Sequence, residues 1–253
     1  MPISPSLYWL TVRTVREAWR QPGAEIGNLL VPLLVYAVIL GAFQSSAEAA
    51  FGIEDYVSFQ VPVVLLQAVT GVAGASGIAL VGDLQSGYFD KLVLTPISRS
   101  ALLGGRVLGD GVRSAMFAAL LLAVGMAAGA ELATGVAGAV VLITMAGVFG
   151  CGYSGVGLTI ALRTGSTQAA QIGLVLWIPL LFLAPAFAPQ EVFAGWLRGI
   201  VAVNPVTYLL AGMRALMVDG WELRPILEAC AVIVGLSLLS TSVAIWSLRK
   251  QLS

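Results

Sequence analysis

Two stretches, Gly74-Ala75-Ser76-Gly77 and Gly152-Tyr153-Ser154-Gly155, carry the Gly-x-Ser-Gly spacing found around the nucleophile of intramembrane serine proteases. A serine becomes nucleophilic only beside a group that takes its proton, usually an imidazole. The chain contains no histidine, and its only lysines, Lys91 and Lys250, lie outside the apolar stretches that hold the two serines. Hydrolysis by either serine is therefore not expected. Asp110-Gly111 with Arg113 matches the beginning of a phosphatidyl-transferring motif, but no pair of aspartates follows at metal-binding spacing. Asp110 is instead expected to pair with Arg106 or Arg113 across one helical turn. Cys151 and Cys230 have neither the spacing nor the neighbours of a metal site or redox pair, and they read as small buried hydrophobes. A phosphate-cradling loop needs Gly-x-x-x-x-Gly-Lys-Ser/Thr, whereas Lys91 follows Asp90 and Lys250 follows Arg249. No catalytic residue and no metal ligand is assigned, and no cofactor is expected on this chain.

The elements that hold these residues are apolar. Of 253 residues, 58% are hydrophobic and 10% charged, against roughly 25% charged in a soluble domain. Thirteen basic residues balance thirteen acidic ones, which offers no case for nucleic acid as a partner. Six apolar runs, 26–43, 57–82, 114–130, 135–162, 169–188 and 229–248, are each close to the ~20 residues that cross a hydrocarbon core as a helix. None alternates as a barrel strand does, so the fold class is an all-α membrane protein with six transmembrane helices, forming a single transmembrane domain over 1–253. Residues 1–22 read as an amphipathic helix lying in the membrane interface rather than as a signal peptide. Tyr8, Val12, Val15 and Trp19 share one face, Arg13, Arg16, Glu17 and Arg20 take another, and Pro22-Gly23 end it. With the N-terminus inside, the inner segments hold ten of the basic residues and the outer ones only Arg198, Arg214 and Arg224. That bias places both termini in the cytoplasm. Rows of small residues, Gly71, Gly74, Ala75 and Gly77 in the second helix and Gly147, Cys151 and Gly155 in the fourth, read as close helix-packing surfaces.

The inner stretch 83–106 is amphipathic and too charged to cross. Leu84, Tyr88, Leu92 and, beyond Pro96, Leu102 can form an apolar edge, leaving Asp83, Asp90, Lys91 and Arg99 for a polar partner or water. Its run Ser86-Gly87-Tyr88-Phe89-Asp90-Lys91-Leu92, continued by Thr95-Pro96-Ile97-Ser98-Arg99 and Leu103-Gly104-Gly105-Arg106, resembles the segment after the second helix in the type 2 family of ABC transporter permeases, its daunorubicin-resistance-like branch in particular. Between helices five and six, Asn204-Pro205-Val206-Thr207-Tyr208 with Arg214 resembles the family's Asn-Pro-x-Thr-Tyr segment. Independently of any family, Asn204 can cap a helix whose first residue is Pro205.

The resemblance implies a cytoplasmic coupling helix in 83–106, with Asp83, Gly87, Asp90, Lys91, Leu92, Pro96 and Arg99 as the ATPase-coupling residues. It also implies short re-entrant helices in the outer segment 189–225, carried by Asn204, Pro205, Tyr208 and Arg214; Pro179, Pro185 and Pro189 suit such a broken path. Two permease subunits, identical or different, would pair in the bacterial plasma membrane, each with a cytoplasmic ABC ATPase that holds ATP and magnesium. The function implied is export of a hydrophobic or amphipathic substrate such as a drug, lipid or lipid-linked glycan. Polar and aromatic residues within helices, Gln60, Gln67 and Thr70 in the second and Trp177 and Phe182 in the fifth, are the candidates for the substrate path. The alternative is a secondary transporter working without an ATPase, which the lack of an acidic residue at any expected helix centre disfavours.

Overall fold

The computed structural model describes residues 3–20, 22–94 and 97–251. Pro96 of the inner segment lies outside them, and the side chains of Trp19, Asp90 and Arg99 are also outside the described set. Among the described residues there are twelve α-helices and no strand. In chain order they are α1 (Ile3–Arg20), α2 (Pro22–Phe43), α3 (Ala47–Phe51), α4 (Tyr56–Gln85), α5 (Tyr88–Val93), α6 (Arg99–Ala127), α7 (Gly135–Thr164), α8 (Thr167–Val175), α9 (Trp177–Phe182), α10 (Gly195–Val203), α11 (Pro205–Arg214) and α12 (Leu223–Gln251). A π-turn, Ala215–Asp219, extends α11.

Among the described residues, five helices are long and apolar enough to cross a membrane: Glu25–Phe43 of α2, α4, Ser100–Ala127 of α6, α7, and Leu223–Lys250 of α12. A sixth span exists only if Gly195–Val203 and Pro205–Asp219, bent by 83° to one another, count as one broken crossing. Three differences from the hydropathy reading have local causes. Pro22 opens α2 rather than merely closing α1, because the first helical position has no use for the missing N–H. The third helix starts at Arg99, fifteen residues before the expected 114, with the Ser98 hydroxyl accepting from Ala101 N at 3.2 Å as its cap. The run 169–188 is not one helix. Pro179 cannot donate to the carbonyl of residue 175, α8 ends there, and α9 ends at Phe182.

α4 is the central rod. Its thirty residues span about 45 Å, and it packs against α2, α6, α7 and α8, while α7 also contacts α6 and α12. The Asp55 carboxylate caps its N-terminal end by accepting from Ser58 N at 2.9 Å. Its C-terminal end stops before Gly87, whose φ of +68° only glycine adopts without strain.

Backbones meet where the small-residue rows were noted. A Cβ at Gly77 would overlap the Gly157 carbonyl, and one at Gly111 would overlap Cys151 Sγ. Gly152 and Gly155 face Ser237 and Ser240 of α12, whose hydroxyls donate to the Val148 and Gly152 carbonyls at 2.8 and 2.6 Å. Cys151 and Cys230 are free and half-buried rather than fully buried, since both sit at the edges of buried clusters. α1 lies along α6, with Leu7, Leu10 and Thr14 against Gly104, Gly105 and Gly109. The face named from its periodicity is not the one that docks: Tyr8 is 61% exposed, because the helix has a second apolar edge that meets the protein. Ile26, Leu34 and Val38 on α2 and Leu227, Leu238 and Leu239 on α12 are also well exposed, an apolar exterior suited to lipid.

Candidate functional site

Two polar constellations stand out against this background, one at each end of α4. At the C-terminal end Asp83, in the last turn of α4, accepts from Arg106 of α6 at 2.7 Å and from Arg13 of α1 at 3.4 Å. Arg13 also pairs with Glu17 one turn along α1, at 2.6 Å, and its guanidinium lies 4.2 Å from the centre of the Tyr88 ring. Partial burial opposes the Arg13 charge, but Glu17 and Asp83 more than offset that cost and raise its pKa. Asp83 is thus turned inward, tying three helices together, rather than left for a partner or water. Arg106 pairs with Asp83 and not with Asp110.

The short α5 follows directly. Its anchor is Phe89, buried among Leu80, Val81, Leu103 and Val107. Tyr88, expected on the apolar edge, is 37% exposed; the left-handed turn at Gly87 rotates that edge by one residue. Leu102 is buried as expected, Lys91 is exposed, and Leu92 is half-buried.

One turn deeper, Arg113 donates to Asp110 at 3.0 Å and pairs with Glu25 at the start of α2. Asp110 is 1% exposed. Because α6 begins at Arg99, Asp110 and Arg113 fall near the middle of a candidate span instead of before the expected start at 114. This corrects the expectation that no helix carries an acidic residue near its centre. The charges do not halt the helix because they neutralise one another. Glu25 escaped the sequence reading, since its partner lies 88 residues away.

At the N-terminal end of α4 the broken segment after α9 leaves carbonyl oxygens without helical partners, and side chains supply the donors. Asn204 Nδ2 donates to the Leu180 and Leu183 carbonyls at 2.7 and 2.9 Å, while its Oδ1 caps α11 by accepting from Val206 N at 3.0 Å. The buried Arg214 guanidinium donates to the Pro185, Ala186 and Phe59 carbonyls at 2.5, 2.8 and 3.1 Å and sits 3.5 Å from the centre of the Phe59 ring. Gln60 donates to the Ala186 carbonyl at 3.2 Å, and the Tyr56 hydroxyl to that of Phe187 at 3.0 Å. Tyr208, by contrast, donates locally to Ala202 O at 2.7 Å on an exposed surface. Pro205 takes the first turn of α11. Sequence pattern named Asn204, Pro205 and Arg214 but missed Tyr56, which has no signal of its own.

The five residues named for a substrate path do not converge within one copy of the chain. Gln60 belongs to the outer clamp, and the Thr70 hydroxyl donates to the Gln67 carbonyl of its own helix at 2.8 Å. Trp177 is buried against Phe149 and Tyr153, at centroid distances of 6.1 and 6.2 Å. Phe182 is 63% exposed.

The sequence model of the ABC-2 type transporter family matches residues 5–218, which include both constellations. The chain is 27% identical over 216 residues to daunorubicin resistance ABC transporter permease protein DrrB1 of Streptomyces coeruleorubidus, covering 81% of this chain and 74% of that protein. It is 23% identical over 202 residues to probable doxorubicin resistance ABC transporter permease protein DrrC of Mycobacterium tuberculosis, covering 80% and 73%. To putative transport permease ycf38 of Pyropia yezoensis it is 25% identical over 217 residues, covering 82% and 72%.

Proposed function

The chain belongs to the ABC-2 type transporter family, and from that premise we propose that it is the membrane-spanning permease subunit of an ATP-driven exporter of hydrophobic or amphipathic molecules. Two permease subunits pair in a bacterial plasma membrane with their termini in the cytoplasm, and a separate ABC ATPase, holding ATP and magnesium, docks on each. α1 lies in the inner interface, α5 with its flanks is the coupling segment, and α10–α11 dip into the outer leaflet and return.

The observation that carries this reading is the junction at Asp83. A carboxylate joining α1, α4 and α6, directly before a short helix with an exposed Lys91, lets a push on α5 reach three helices at once. Gly87 supplies the turn, and Asp90, Lys91, Leu92, Pro96 and Arg99 present the surface that the ATPase meets. α4 then carries the displacement to Gln60 and Tyr56, twenty-three and twenty-seven residues away, which hold the outer segment. Its helical hydrogen bonds make it stiff over that length, about 35–40 Å.

The test is reconstitution. The ATPase encoded beside this chain should copurify with it, and transport in proteoliposomes should require ATP and that ATPase. Charge reversal at Asp90 or Arg99 should uncouple ATP hydrolysis from transport while the subunit still folds and inserts. Undiminished transport by the chain alone, driven by an ion gradient, would establish a secondary transporter instead.

A further inference from the structure

α7 and α12 pack side by side, and between them lies a cavity of about 370 Å³. Val156, Thr159 and Ile160 of α7 line one wall, and Leu236, Leu239 and Val243 of α12 line the other. The walls are apolar in spite of their hydroxyls, because Thr159 donates to the Gly155 carbonyl at 2.7 Å and Ser240 to that of Gly152 at 2.6 Å. Along α7 the groove runs from Phe149 to Ile160, a length of about 16 Å. It is open along its side, where Leu239 is 65% exposed. Among the described residues that line it, Trp177 has the one orphaned buried polar atom, Nε1, and packs on Phe149 and Tyr153 at the end farthest from Ile160.

One helical turn beyond Ile160 and Val243, on the same helix faces, the lining changes from apolar to basic and aromatic. Arg163 Nε donates to Ser247 Oγ at 3.2 Å. The centre of the Trp246 ring, a residue 54% exposed, lies 5.3 Å from the Arg163 guanidinium and 5.6 Å from the Lys250 ammonium, and Arg249 is exposed beside them. Arg163 is itself exposed and forms no ion pair among the described residues. α7 contains no acidic residue, and α12 contains only Glu228, about 27 Å before Trp246 along the helix. Arg163 and Lys250 stand at the ends of the candidate spans Gly135–Thr164 and Leu223–Lys250, where hydrocarbon gives way to head groups and Trp is at home. A guanidinium without a counter-ion at that level attracts an anion, and its planar fork matches a phosphate.

We propose that this face of α7 and α12 holds an anionic phospholipid, with its phosphate on Arg163 beside Trp246 and one acyl chain in the groove along Ile160, Val243 and Leu239. Charge selects the head group, and the groove that leads away from it selects a ligand with a tail. The inference goes beyond the transport reading and needs neither an ATPase nor a cargo, since the lipid is held on the flank of the subunit. Leu162 and Leu248, adjacent in sequence to the head-group residues, belong to the buried cluster that seats Phe89 of α5. A lipid bound there braces the wall on which that short helix rests.

The experiment titrates the full chain, delipidated in detergent micelles, with dioleoylphosphatidylglycerol or dioleoylphosphatidylcholine, which share their tails, and counts bound lipid by native mass spectrometry. The first phosphatidylglycerol should bind about tenfold tighter than the first phosphatidylcholine, the effect expected of one charge-assisted contact. Arg163→Gln should abolish that preference and leave phosphatidylcholine unchanged, Arg163→Lys should keep most of it, and Val243→Trp, which fills the groove, should weaken both lipids. Arg20→Gln is the control for diffuse attraction, because Arg20 is also exposed but lies on α1, and it should change nothing. Equal binding of the two lipids by the unmodified chain overturns the proposal, as does a preference lost equally in Arg20→Gln and Arg163→Gln. Inorganic phosphate at hundredfold excess should not displace the lipid; displacement would reduce the cluster to a site for free anions and overturn the role of the groove. If Arg163→Gln fails to insert, the lipid ratio on the unmodified chain and Val243→Trp still decide.

Discussion

Asp83 accepts from two arginines at different distances, and the geometry ranks them. The Arg106 contact, 2.7 Å between side chains 12% and 19% exposed, is a short, largely buried charge-assisted bond, of a kind that contributes about 1.5–3 kcal/mol. The Arg13 contact is 3.4 Å long, its arginine is 27% exposed and is shared with Glu17, so after discounting for solvent screening it contributes about 0.2–1 kcal/mol. Asp83→Asn keeps the shape and removes the charge, and should lower stability by about 2 kcal/mol, chiefly by leaving Arg106 buried without its counter-ion. Double-mutant cycles separate the two arms. With Arg106→Met the coupling energy should be about 1.5–2.5 kcal/mol, and with Arg13→Met below about 1 kcal/mol. The assay is reversible unfolding of the purified chain in mixed micelles, repeated near 1 M salt, where the screening length falls to about 3 Å. The Arg106 coupling should persist there and the Arg13 coupling should fade. A coupling to Arg13 equal to that of Arg106, or loss of both in salt, would refute the ranking and with it the junction as a fixed tie.

Three further substitutions probe the other contacts. Arg214→Lys keeps a charge but not the planar fork that reaches three carbonyls, and should cost about 2–4 kcal/mol; an unchanged melting temperature in detergent would show that the carbonyls find other donors. Gly77→Ala places a methyl against the Gly157 carbonyl and should cost about 1–3 kcal/mol. Its control is Gly82→Ala in the same helix, where a Cβ meets nothing within 4 Å and helix propensity predicts a gain of about 0.5–1 kcal/mol; equal effects would rule out the close crossing. Asn204→Asp should be worse than Asn204→Ala, because a carboxylate would face the Leu180 and Leu183 carbonyls that the amide now donates to. A residue that only caps a helix tolerates Asp as well as Asn, so an Asp variant that melts like the unmodified chain would reduce Asn204 to a cap.

Long apolar stretches were legible in the sequence because nothing interrupts them: α4, α7 and the core of α12 lie where hydropathy puts them. The N-terminal half of α6 was not. A pairing of Asp110 with Arg106 or Arg113 across one helical turn could be expected, but only the partners Asp83 and Glu25, far away along the chain, show that the set is nearly neutral. The same holds at the other end of α4. Asn204 and Arg214 could be named from a local pattern, but Gln60 read as a path residue because nothing local reveals that the Ala186 carbonyl needs a donor. Tyr88 and Phe89 are adjacent and equally apolar, and the φ of Gly87 decides which one is buried.

What separates the two ends of α4 is the way charge is compensated. At the N-terminal end no carboxylate among the described residues forms an ion pair with Arg214, and its charge is met chiefly by three carbonyl dipoles and an aromatic face. The Pro185 and Ala186 carbonyls are available because Pro185 and the turns around it cannot continue a helix, so the cation and the broken backbone each satisfy the other's need, while the Phe59 carbonyl comes from the first turn of α4. The arrangement is closed, because every guanidinium nitrogen donates within it. At the C-terminal end the compensation is by opposite charge and is unfinished on both sides, with Glu25 Oε2, Asp110 Oδ2, Arg106 Nε and Arg113 Nε buried without a partner among the described residues. A transporter needs one end that holds its shape and one that answers to a ligand or a partner. Here the end fixed by carbonyl contacts holds its shape, and the end built from ion pairs lies beside α5.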